Sequence, residues 1–198
     1  AGQPSGATDV ADVFSTDLWA ASTTTDSTET INNGLDLSGE GGLVWIKNRN
    51  EDYDHRLTDT ERGVQKQLRT NETAAQNTYT KETVSAFNSN GFSSTVFQNN
   101  KYVSWSFRKK KKFFDIVTYS GNSTSGRTLS HSLGSVPAMM IFKQTNGTNA
   151  WFVYHKDFIK DGAAAPNSAL FLNLADAGDT NAGYFNNTAP TDSVFTLG

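Results

Sequence analysis

Gly41–Arg49 reads GGLVWIKNR, and Pro137–Thr145 reads PAMMIFKQT. Each is a short apolar run closed by a lysine and then by polar residues. The runs are of strand length, not helix length, and the first is apolar without interruption, as a strand covered on both faces requires. The neighbouring segments match in the same order. VFSTDLW (13–19) lies on FFDIVTY (113–119), TINNGLDL (30–37) on TLSHSLGS (128–135), and LVWIKNR (43–49) on MMIFKQT (139–145). AFNSNGFS (86–93) falls near TDSVFTLG (191–198), and His55 in YDHRL near His155 in VYHKD. Two units of about a hundred residues each are expected, longer than the repeats of solenoids.

The strands are spaced by turn chemistry. Asn33-Gly34 is a turn signal with Ile31, Leu35 and Leu37 around it, and FNSNGFSSTVF (87–97) is another turn-flanked pair. KYVSWSF (101–107) alternates with period two, placing Tyr102, Ser104 and Ser106 on one side and Val103, Trp105 and Phe107 on the other. Arg62–Ala75 has helical composition without an apolar face, so loop or short strand fits it equally. In the second half FFDIVTYSGN, RTLSHSLGSVP, MMIFKQT, AWFVYHKDF, ALFLNL, AGYFNN and SVFTLG all read as strands. The first unit closes with Lys101–Phe107, and the second reaches Gly198 without a counterpart. That predicts either a chain cut short or a strand supplied from elsewhere, since an incomplete sheet leaves a pairing edge open.

Composition agrees with an all-β chain. Thr, Ser, Asn and Gly are abundant and Leu is sparse, a balance suited to strands and turns. Of the 198 residues 36% are hydrophobic and 12% aromatic, enough for a core, and no run approaches the length of a membrane span. The net charge of −3 gives no argument for nucleic acid or an anionic membrane. With no cysteine there is no disulfide framework and no thiolate metal site. Residues 1–12 read as a flexible lead-in. Their small polar residues carry neither a basic start nor an apolar signal core, and without an initiator Met the chain reads as processed or a fragment.

GLDLSGEGGLVWIKNR, TDTERG, AFNSNGF, YVSWSFRK, KFFDIVTYSGN, GRTLSHSLGSVPAMMIFK, WFVYHK and NNTAPTDSVFTLG, taken in that order, resemble a family of virion proteins of marine and cyanobacterial phages. The resemblance spans roughly residues 13–198. It implies a concanavalin-A-like or jelly-roll β-sandwich and a tail-fibre-like or structural role in the particle. The family has a small apolar pair after Arg108 where this chain has extra lysines. The expected organisation is residues 1–12 as lead-in, 13–108 as a first sandwich unit, and 113–198 as a related second unit lacking its last strand.

Residue chemistry gives no expectation of catalysis, of a cofactor or of a bound metal. His55, His131 and His155 fall near Ser and Asp only as often as their abundance predicts, and no Gly-x-Ser-x-Gly elbow occurs. The carboxylates Glu51, Asp52, Asp54, Asp59 and Glu61 could serve a glycosidase or a calcium ion, as could Asp176, Asp179 and Asn181, but solvated loops and turns account for both groups. Arg108–Lys112 reads as a connector rather than a polyanion contact. Trp45, Trp105 and Trp151 read as core. Weak binding candidates are Trp19 and Tyr119, at matched positions near turns, with Asp52, Asp54, Asn146 and Asn149 in the connections after the matched strands. The resulting expectation is a non-catalytic virion component, a tail fibre or appendage that presents loops to a host-surface polysaccharide. Its other partners would be further virion proteins and copies of itself, a trimer being one suitable state. Capsid decoration or an adaptor role is the alternative, and a polysaccharide-degrading enzyme a third.

Overall fold

Lys101–Arg108 carries the clearest alternation and becomes the centre of a sheet. The computed structural model describes residues 8–176 and 178–198. It is all-β, with 40% of residues in strands and 3% in helix. The chain divides into two compact units: Ala1–Leu68 with Asn77–Phe114, and Arg69–Gln76 with Asp115–Gly198. The division therefore falls at 114/115 rather than between 108 and 113, and the second unit also takes in an eight-residue segment from the middle of the first.

The first unit begins with β1 (Phe14–Ala20), β2 (Ser27–Asn32), β3 (Gly42–Asn48), β4 (Arg56–Asp59) and β5 (Lys66–Arg69). It continues with β6 (Asn77–Thr78), β7 (Thr83–Asn88), β8 (Gly91–Val96) and β9 (Lys101–Arg108). One sheet has the order β1-β9-β3-β4-β5-β6 and the other β2-β8-β7, with antiparallel ladders throughout their registered pairs. Arg62–Ala75 holds β5 and turns, not a helix. Ser89-Asn90 closes the β7–β8 hairpin. Gly91 is required there, because its φ is 121° and an added Cβ would lie 2.0 Å from the Ile31 carbonyl oxygen.

The core of this unit gathers Ile31, Leu35, Leu37, Val44, Ile46, Val84, Phe92, Val96 and Tyr102, with Trp19 and Phe87 packed against it. β9 faces it with Tyr102, Ser104 and Ser106, all buried, while Trp105 and Phe107 point the other way. Binary patterning alone would have turned this strand round. The small serines sit inside because larger groups fill the space above and satisfy their hydroxyls: Trp19 Nε1 reaches Ser104 Oγ at 3.3 Å and Asn33 Nδ2 reaches Ser106 Oγ at 3.1 Å. Trp45 and Trp105, expected in the core, form an edge-to-face pair at 6.0 Å on the opposite, half-buried face. The uninterrupted apolar run of β3 thus serves one buried and one half-buried face.

The second unit has β10 (Arg127–Ser130), β11 (Met139–Phe142), β12 (Phe152–His155), β13 (Ser168–Phe171), β14 (Asp179–Thr180) and β15 (Val194–Leu197). β10 pairs β15, and the other four form a sheet in the order β11-β12-β13-β14. Tyr154, Ala165 and Phe185 are its core, with Met140, Phe142 and Tyr184 packed on them. Arg69–Gln76 is stitched in by Trp151, which is buried as expected. Its Nε1 donates to the carbonyls of Arg69 and Glu72, both at 3.0 Å. Two expected strands are not formed. AGYFNN makes turns with left-handed Asn186 and Asn187, and Asp115–Tyr119 pairs with no strand among the described residues. Phe113 and Phe114 instead pack on Phe107 of the first unit.

Burial also dictates an alkaline response. Tyr102 and Tyr154 are both buried, and loss of solvation raises the phenol of each above its ordinary value. The unfolded chain releases these protons near pH ~10 while the folded chain keeps them. Stability is therefore full below about pH 10 and falls as pH rises beyond it, by up to about 1.4 kcal/mol per pH unit for each tyrosine. Urea titrations between pH 8 and 11 check this. Tyr102→Phe and Tyr154→Phe together should flatten the decline, and a wild-type profile level to pH 11 would contradict it.

Candidate binding loops

β3 ends where β4 and β9 begin, and β9 begins where β1 ends, so the loops 21–26, 49–55 and 97–100 share one end of the first unit. Backbone bonds tie them together. Ala21 N donates to Asn100 O at 2.9 Å, Asn99 N to Ser22 O at 2.8 Å and Arg49 N to Lys101 O at 2.7 Å. Side chains add to this: Lys101 N donates to Asn50 Oδ1 at 2.7 Å and Gln98 N to Asp26 Oδ1 at 3.1 Å. The Gln98 amide, with Lys81 at 3.0 Å, holds the exposed Asp26 carboxyl below its ordinary value.

The 49–55 loop is fixed at its base by the two residues that end β3. Asn48 is buried, and its Oδ1 accepts from the amides of Asn50 at 3.1 Å and Glu51 at 3.0 Å. The Lys47 ammonium donates to the carbonyls of Glu51 at 3.3 Å and Tyr53 at 2.7 Å. The loop so held presents Tyr53, 41% exposed, with its ring tilted against Phe97 at 6.3 Å. Asp52 is exposed beside it, and Asp54 is half-buried next to His55. Desolvation, helped by the Lys47 charge and opposed by Asp54, lowers the proton affinity of His55. An amphipathic ring and a carboxylate on a fixed loop suit a neutral, hydroxyl-rich ligand: the ring covers C–H faces and the carboxylate oxygens accept from hydroxyls.

The six sequence candidates divide on this scaffold. Asp52 and Asp54 lie in the fixed loop. Trp19 does not stand out from a turn. It stacks on Tyr102 at 4.5 Å and meets Phe92 at 6.4 Å, because its position on β1 faces the core. Asn146 and Asn149 occupy the connection after β11, where both side chains bind Gln144, at 3.0 and 2.7 Å. They close a turn on themselves. Tyr119 is 42% exposed and rests edge-on against Phe195 at 6.5 Å.

Tyr53 and Phe97 were missed. The signal was present in the sequence, since EDYDH places an aromatic among solvated carboxylates, where nothing apolar is needed for a turn. Asp59, one of the considered carboxylates, is buried and bonded to Arg62 Nε at 2.6 Å, which makes it structural. In the basic run, Arg108 donates to the Asp12 carbonyl at 2.7 Å and Lys109 reaches Glu61 at 2.6 Å. His55 and His155 are not equivalent. Trp45 pairs Leu57 and Ile141 pairs Val153, so laying β3 on β11 brings His55 onto Trp151. Among the described residues no three His, Asp or Glu stand close enough to hold a metal ion.

The chain matches no curated protein and no solved structure. One family model does match, over residues 9–198, nearly the full sequence. The chain belongs to that family, described as a domain of unknown function, DUF7483.

Proposed function

We propose that the protein is a non-catalytic adhesion component of a phage virion, at a tail fibre or appendage, and that the 49–55 loop contacts a host-surface polysaccharide. The carrying observation is the fixed loop with Tyr53 exposed on it. A binding loop already held in place loses little conformational entropy on meeting its ligand. The likeness of the sequence motifs to phage virion proteins supplies the setting. Repeated copies on a particle would add weak contacts through effective concentration.

The test is binding of the full chain to an array of purified bacterial surface polysaccharides. Tyr53→Ala and Phe97→Ala are expected to weaken binding at least tenfold with unchanged circular dichroism. Binding indifferent to both changes, or none on any polysaccharide, would remove this reading.

The two units are also taken here as copies of one jelly-roll-like sandwich. Three pairs of observations support this. Ile31 lies opposite Phe92 in the first unit, and Leu129 opposite Phe195 in the second. Val44 and Ile46 face one core, and Met140 and Phe142, at the matched positions of β11, face the other. The closing lysines behave alike: Lys47 donates to the carbonyls four and six residues on, and Lys143 to Gly147 at 3.1 Å and Asn149 at 2.9 Å, again four and six residues on.

A further inference from the structure

Five cations stand in a row at Arg108–Lys112, and the fold of the first unit uses two of them. The Arg108 guanidinium donates to the Asp12 carbonyl at 2.7 Å and lies 3.8 Å from the Glu40 carboxylate. The Lys109 ammonium meets Glu61 at 2.6 Å. Lys110, Lys111 and Lys112 are exposed, and none of the three has an ion pair among the described residues. Glu40 and Glu61 are therefore taken by Arg108 and Lys109, and three positive charges are left facing solvent.

A tight turn holds them together. Lys110 N donates to Phe114 O, and Lys110 O accepts from the amides of Phe113 and Phe114, each at 3.0 Å. Phe113 and Phe114 pack on the Phe107 ring at 6.5 and 5.5 Å, which pins the turn to the end of β9. Lys112 has a φ of 66°, in the left-handed region that favours glycine or asparagine. A turn serving only as a connector is best made with one of those small residues. Here the main chain instead fixes three successive like charges against their mutual repulsion, and an arriving anion relieves that repulsion. A backbone already fixed loses little entropy when the anion binds.

We propose that the Lys110–Lys112 turn is a contact for an anionic polysaccharide, one whose sugars carry carboxylates, at a place separate from the 49–55 loop. β9 (Lys101–Arg108) begins beside that loop and ends at this turn, so its eight residues set the two about 25 Å apart. Ammonium groups on flexible stems match carboxylates strung along a polymer as point charges. Planar, bidentate capture of a phosphate needs a guanidinium, and that of Arg108 is already committed. The chain as a whole carries −3, which repels a long, densely charged duplex, whereas a polymer with one charge per sugar meets the turn over a few residues. The inference does not rest on the reading of the 49–55 loop.

The test measures binding of the full chain to alginate, a polyuronate, with neutral dextran as the control. Alginate is expected to bind and dextran not to, with affinity falling about tenfold between ~50 and ~300 mM salt. Lys110→Gln, Lys111→Gln and Lys112→Gly together should weaken alginate binding by about tenfold or more. Urea unfolding of that variant should be unchanged, since glycine adopts the left-handed position freely. Changing all three to arginine keeps the charge and should keep the binding. Tyr53→Ala should leave alginate binding as it is, which separates this site from the 49–55 loop. If the triple variant is destabilised, acylation of wild-type lysines read by mass spectrometry takes its place: alginate should shield Lys110, Lys111 and Lys112 and leave exposed Lys101 reactive. The proposal is overturned if alginate does not bind, if the triple variant binds it as well as the wild type, or if Lys101 is shielded equally. Tighter binding of duplex DNA than of alginate at matched charge also overturns it, since the partner is then a nucleic acid.

Discussion

Glu82→Ala is expected to destabilise the first unit by about 3–5 kcal/mol, the usual range for removing one partner of a buried ion pair. Glu82 is 1% exposed. Its Oε1 accepts from Asn48 Nδ2 at 3.2 Å and from the Tyr102 hydroxyl at 3.1 Å. Arg56 Nη2 stands 2.5 Å from Oε2, a charge contact at an angle outside hydrogen-bond geometry. The Glu82 carbonyl accepts from buried Gln67 Nε2 at 2.8 Å. Truncation leaves two buried donors, Asn48 Nδ2 and the Tyr102 hydroxyl, without their acceptor and the Arg56 charge without its partner, while the Gln67 bond to the main chain stays. The backbone at Glu82 adds to the case, because its φ of 47° is rare for a side-chain-bearing residue and is held there by these bonds. Urea unfolding measures the loss. Glu82→Gln, which keeps an acceptor oxygen, should lose less. Replacing the pair together, Glu82→Leu with Arg56→Met, should recover part of the stability. A loss below about 1 kcal/mol for Glu82→Ala would mean that water already reaches the site.

The network has a functional consequence. Asn48 ends β3, Arg56 begins β4 and Tyr102 is the second residue of β9, so Glu82 fastens the strand ends from which the 49–55 loop rises. Glu82→Ala should speed amide exchange in that loop as well as lower global stability.

Strands and turns were legible where local signals agree with packing. The alternation of KYVSWSF and the turn of FNSNGF both rest on interactions a few residues apart, and both form as read. In the runs GGLVWIKNR and PAMMIFKQT, Val44 and Ile46 face one core and Met140 and Phe142 pack on the other. Facing was less legible. Ser104 and Ser106 look like a solvent face and line the core, because the groups that satisfy them, Trp19 and Asn33, are 85 and 73 residues distant. FFDIVTY has strand propensity, but a strand forms only against a partner, and no local pattern reports whether one is there. Tyr53 did not stand out in the sequence because only the fold brings Phe97 to it, by placing two loops at one end.

Phe92→Ala and Phe195→Ala test both the two cores and their likeness. Phe92 is fully buried, opposite Ile31 and edge-on to Trp19. Phe195 is 6% exposed, opposite Leu129, with Phe142 at 5.6 Å and His131 stacked at 6.4 Å. Each truncation removes a ring from a close-packed interior and is expected to cost about 3–5 kcal/mol. Hydrogen exchange then locates the damage. Phe92→Ala should speed exchange in β2, β7 and β8 while the amides of β10–β15 keep their protection, and Phe195→Ala should do the reverse, since compact units open separately when each holds its own core. If either change releases amides across the full chain, the two units form a single cooperative body. The second unit would then draw its stability from the first, and its smaller core would be tolerated for that reason.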